Sequence, residues 1–174
     1  MLDVLRRIAE LFALAGSGMA GAAALLVTAS ITLRALTTRP IQGDVELTQF
    51  AVALAISLAL PWCQLRGANI IVDFFTQRLP ARQSRRLDGI GALLVALLCA
   101  LLAWRTIVGA LSVYEATETS MILGLPMWWI YASLAPGLAL TALVALVQAG
   151  LHFREMPLEA LAGVEPATDA PARP

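Results

Sequence analysis

Six charged side chains stand where they could make consequential contacts: Arg34, Glu46, Arg66, Asp73, Arg105 and Glu118. Their chemistry is ion pairing and hydrogen bonding rather than bond making. A catalytic centre would need a nucleophile beside a base, clustered carboxylates or a metal set. The one histidine, His152, has no obvious partner, and Cys63 and Cys99 both fall within apolar runs. One histidine excludes a bis-histidine haem site within the chain, and no cysteine–histidine cluster suggests zinc. Nor is there a glycine-rich phosphate loop or a basic–aromatic surface for nucleic acid. The chain is therefore expected not to be an enzyme and to carry no cofactor. The cysteines read as small buried hydrophobes rather than a disulfide.

The elements that must position these residues are four apolar runs, at about 11–33, 47–65, 90–113 and 127–149. A hydrocarbon core about 30 Å thick takes ~20 helical residues to cross. Hydrophobic residues make up 59% of the chain, and the mean hydropathy is +0.78. Both are too high for a soluble domain of this length. Backbone groups in lipid must be satisfied internally, and the runs are too continuous for barrel strands, so helices are expected. The first run is 23 residues without a charge, longer than the apolar region of a signal peptide, and reads as a retained span.

Net charge is zero and all twelve basic residues are arginine, unevenly placed. Arg6 and Arg7 precede the first run, Arg66, Arg78, Arg82, Arg85 and Arg86 lie between the second and third, and Arg154 and Arg173 follow the fourth. Only Arg34 and Arg39 lie on the other side. By the positive-inside rule both termini and the central loop are cytoplasmic.

The reading along the chain is an all-α integral membrane protein: one four-span membrane domain over 1–154 and a proline-bearing, disordered tail over 155–174. In span one, Gly18 and Ala22 are small residues four apart, suited to close helix approach within the chain or to a docking partner. Pro61 should kink or end span two near Ala59. In the central loop Ile70, Ile71, Phe74, Phe75 and Leu79 recur near helical spacing. They suggest a short interfacial amphipathic helix ended by Pro80, before the basic stretch Arg82–Arg86 and its attraction to anionic lipid. Arg105 lies inside span three, where a central arginine costs ~2.5–3.5 kcal/mol on the insertion scale. It can snorkel toward the outer interface or pair with an acid on another helix or subunit. Trp104, Tyr114, Trp128, Trp129 and Tyr131 fit an outer aromatic belt. Pro136 and Gly137 suggest a bend in span four.

The stretch Arg66-Gly67-Ala68-Asn69-Ile70-Ile71-Val72-Asp73, with Leu79-Pro80 after it, resembles the DctQ-like small membrane subunit of tripartite ATP-independent periplasmic (TRAP) transporters. Asn69 stands where that family often has histidine, so no role of that histidine carries over. Arg34 closing span one and Glu46-Leu47 opening span two are similar to the family's pattern, with Ala35 and Val45 departing from its aromatic residues. Glu118, Ser120, Leu123, Pro126 and Trp128, then Tyr131, Pro136 and Gly137, look like its last stretch. The resemblance covers about residues 10–150. It implies a non-catalytic subunit in a bacterial inner membrane, scaffolding a large sodium-coupled subunit of about a dozen spans. A periplasmic binding protein would deliver an organic acid such as a C4-dicarboxylate or a sialic acid.

Arg34 and Glu46 flank the outer connection and are expected to pair there, to meet the binding protein or to stand as solvated anchors, and Glu118 is a candidate for the docking surface. Asp73 caps a helix or pairs with Arg66 or Arg78, and Arg105 makes a polar contact within or between subunits. The residues alone leave two other readings open. One is a stand-alone oligomeric transporter or channel; the other is a membrane anchor of another complex.

Overall fold

The computed structural model describes residues 2–37, 41–67 and 81–153. Four helices account for almost all of them: α1 (Leu2–Thr37), α2 (Asp44–Leu65), α3 (Ala81–Glu115) and α4 (Trp128–Phe153). All four are long and apolar enough to cross a membrane. Each contains one of the four apolar runs.

The helices outlast the runs at the ends that carry charge. At 36 residues α1 is about 54 Å long, well beyond a hydrocarbon core. Its first turns hold Asp3, Arg6, Arg7 and Glu10. Such residues do not break a helix; they only leave the apolar layer. The same holds for α3, whose 35 residues take in the basic stretch from Arg82 to Arg86. That stretch begins the third helix rather than forming a separate loop. The suggested interfacial helix, around Ile70 to Leu79, lies outside the described residues, as does the tail from 154 onward.

Pro61 does not end α2, which continues to Leu65. A proline removes one backbone donor, but four further residues stay helical because the segment is packed on its neighbours and Pro61 itself is buried. Pro136 likewise sits inside α4.

Spatial order differs from chain order. α1 packs along α2, α2 on α4, and α4 on α3, while α1 barely meets α4. The result is an open layer in the order α1–α2–α4–α3 rather than a closed four-helix bundle.

Small residues draw the neighbours together. Along α1 the buried positions are Ala9, Gly16, Ala23 and Ser30, seven apart, with Leu5, Phe12, Met19 and Leu26 half-buried between them. A seven-residue repeat of this kind keeps one seam against a neighbouring helix. At Gly16 a Cβ would stand 2.8 Å from the Ala55 carbonyl oxygen. The seam of α3 against α4 is also small: Gly89, Ala92, Ala96, Ala103 and Ala110 are buried, with Cys99 and Thr106 half-buried. Small residues are what helix interfaces in lipid favour, because no hydrophobic force drives helices together there. Gly18 and Ala22 do not pack a neighbouring helix of this chain in that way, since both are exposed and a Cβ on Gly18 would meet nothing within 4 Å.

Candidate subunit-contact surfaces

One end of the layer carries most of the tryptophan and tyrosine residues and the other most of the described arginines; these are the aromatic end and the basic end below. Polar side chains divide into three groups: a latch at the aromatic end, a cluster between α2 and α4, and Arg105 on the far side of α3.

The latch starts at Gly43, which precedes α2 with φ of 77°. That left-handed conformation suits glycine, and a Cβ there would also collide with Leu123. Beyond it, Asp44 and Glu46 sit in the first turn of α2, where a negative charge meets the positive end of the helix dipole. Asp44 accepts a hydrogen bond from Ser30, the last member of the α1 seam. Glu46 reaches the α3–α4 connection instead: Ile122 N–H donates to Oε1 at 3.0 Å and Leu123 N–H to Oε2 at 3.2 Å. Ser120 and the Met121 backbone also lie beside this carboxylate. Ser120 N–H donates to Leu125 O at 2.8 Å and Met127 N–H to Glu118 O at 3.1 Å, closing the connection into a short hairpin. One carboxylate thus gathers consecutive backbone donors and fixes the hairpin on α2. Its tip exposes Met121 completely and Ile122 largely.

Arg34, in the last turn of α1, is exposed and does not pair with Glu46; among the described residues it has no ion-pair partner. Glu118 lies on the hairpin with its side chain exposed. At the opposite end Arg66 caps α2 through its N–H to Trp62 O, and its guanidinium lies 4.8 Å above the Trp62 ring. This is a cation–π contact; Asp73, the suggested partner of Arg66, lies outside the described residues. The five singled-out residues that are described, Arg34, Glu46, Arg66, Arg105 and Glu118, therefore do not form one site.

The polar cluster between α2 and α4 was not singled out from the sequence. Ser57 Oγ donates to Leu134 O at 2.7 Å. Gly137 lies directly beneath Ser57, leaving no room for a Cβ. Nearer the basic end Gln64 Nε2 donates to Gln148 Oε1 at 2.8 Å, and Gln148 Nε2 donates back to Gln64 O at 2.8 Å. Both glutamines are buried. Two amides standing in apolar runs were the available signal, though nothing in the sequence says that they face each other.

An apolar groove of about 440 Å³ lies at the aromatic half, between α1 (Met19, Ala22, Leu26), α2 (Leu47, Phe50, Leu54) and α4 (Trp129, Ile130). Both cysteines are free. Among the described residues no three His, Cys, Asp or Glu come together to hold a metal.

A model of the tripartite ATP-independent periplasmic transporters' DctQ component matches residues 23–155, most of the chain, from the second half of α1 through α4. The chain belongs to the DctQ family. It is a small permease subunit of a TRAP-type transporter, a multi-pass membrane protein from a family of transport components, not one known for enzymes. Members work with DctM and DctP components. No curated protein and no solved structure matches this chain. The matched region contains the latch, the α2–α4 cluster and Arg105, so all three belong to the family part of the chain.

Proposed function

We propose that this DctQ-family chain is the fixed scaffold of a TRAP importer of organic acids. It braces the large sodium-coupled membrane subunit while the periplasmic binding protein delivers substrate to the complex. The observation that carries the reading is the open layer of helices, α1–α2–α4–α3, which leaves two broad apolar faces without an in-chain partner. Leu14, Leu25, Leu97, Leu98 and Leu101 are among the large residues exposed. In-chain polar groups support it too. Gln64 with Gln148, and Ser57 with Leu134, are engaged in holding helices together, and the groove is lined by apolar side chains unsuited to a carboxylate. Orientation follows the arginines: the basic end, with both termini, faces the cytoplasm and the aromatic end the periplasm. The Glu46-pinned hairpin, with Glu118 and the exposed Met121, then belongs to the side on which a binding protein arrives.

The test is a mild-detergent pull-down of the tagged full chain from its native membrane. Recovery of a stoichiometric large membrane subunit supports the scaffold reading. A chain recovered alone that also drives uptake into liposomes would replace it with a stand-alone transporter.

A further inference from the structure

Arg105 is the one charged side chain standing well inside an apolar span, and the described residues give it nothing to pair with. It lies on the exposed side of α3, on a stripe with Leu98, Leu101, Val108 and Ser112, while Ala96, Ala103 and Ala110 face α4. Among the described residues it has no hydrogen-bond or ion-pair partner.

Its depth follows from the register of α3 on α4. A Cβ on Gly109 would stand 3.7 Å from the Tyr131 ring. The Tyr114 and Trp128 rings are 5.5 Å apart. Continuing that antiparallel register puts Arg105 level with about Pro136, roughly 12 Å along the axis from Trp128. The nearest headgroups are therefore those of the aromatic end.

Direction argues against reaching them. Side chains on a helix lean toward its N-terminus. On α3 that is the basic end, so the arm of Arg105 is biased away from the nearer interface and toward the bilayer centre. An extended arginine reaches only about 7 Å from its Cα, too short to meet a phosphate at the far interface. A buried charge so placed calls for a carboxylate at its own depth. A second copy of this chain does not supply one, because the acids of the four helices stand near the helix ends, at Asp3, Glu10, Asp44, Glu46, Asp88 and Glu115.

We infer that Arg105 pairs within the bilayer with a carboxylate on a spanning helix of the large membrane subunit, and that the stripe of α3 around it is a subunit interface. The inference rests on the scaffold reading and names its contact. It assigns the face of α3 away from α4 to protein rather than lipid.

The experiment compares recovery of the large subunit by the tagged full chain, by Arg105→Leu and by Arg105→Lys, each co-expressed with that subunit. The expected result is a fall of at least about tenfold for Arg105→Leu and partial retention for Arg105→Lys. The amount and thermal midpoint of the Leu variant itself should not change. A photo-crosslinker at Val108, with Arg105 intact, should form an adduct with the large subunit. Full recovery by Arg105→Leu, as a lipid-phosphate contact would give, overturns the inference, and so does a Val108 probe that labels only lipid. If the parent chain recovers no large subunit, the scaffold reading fails first and takes the inference with it.

Discussion

Gln64 with Gln148, and Arg105, are polar groups set among apolar helices, and the fold treats them in opposite ways. The glutamines face each other across α2 and α4, buried, with side-chain and backbone acceptors at 2.8 Å. Arg105 faces outward from α3 with none among the described residues. A polar group satisfied inside the chain specifies which helices meet. One left unsatisfied specifies what the chain must meet next. On this view the α2–α4 contact is internal structure, and the outer face of α3 is unfinished structure.

The comparison can be broken most forcefully at Gly137. A leucine there would have to displace the Ser57 backbone, so Gly137→Leu should cost the isolated chain about 3 kcal/mol, read as a lower unfolding midpoint in detergent. An unchanged midpoint would mean that α2 and α4 do not approach as closely as described. Next in size is Gln148→Leu, which removes the acceptor and donors that Gln64 meets. It should destabilise the isolated chain by about 1–2 kcal/mol, and converting Gln64 to leucine as well should restore part of the loss. Glu46→Gln exchanges a charged acceptor for a weaker neutral one. Its effect should be local: faster amide exchange at Ile122 and Leu123, with the midpoint nearly in place. Smallest of all should be Arg105→Leu in the isolated chain, within about 0.5 kcal/mol of the parent, because it removes no contact made there. A large loss would show that the arginine has an in-chain role, and the contrast with the glutamines would collapse.

Hydropathy made the four helices legible, since nothing else satisfies so long an apolar backbone in lipid. Their true ends were less legible, because Asp3, Arg7 and Glu10 stop an apolar run without stopping a helix. The spatial order could not be read, as it depends on which faces meet after insertion. Residue type left two readings open at Gly18 and Ala22, and the in-chain one is not used: the seven-residue recurrence of Ala9, Gly16, Ala23 and Ser30 decided which small residues of α1 are buried. Glu46 was recognisable as a residue that contacts something. Its partners are backbone donors some 76 residues away, which leave no mark in side-chain identity. Gln64 and Gln148 could have been flagged as the rare amides within apolar runs, although pairing them required the fold.

The order of the layer also bears on how the molecule is made. A chain emerges from its N-terminus first, so α1 and α2 can settle together as a hairpin as soon as both are in the bilayer. α3 arrives with no substantial surface on that hairpin to rest against. It waits until α4, the last of the four to be synthesised, enters between α2 and α3 and touches both. A nascent chain stalled before Trp128 would thus hold a joined pair and a loose third helix, open to capture by a neighbouring protein or to quality-control proteolysis. Completion of α4 is the step that closes this window.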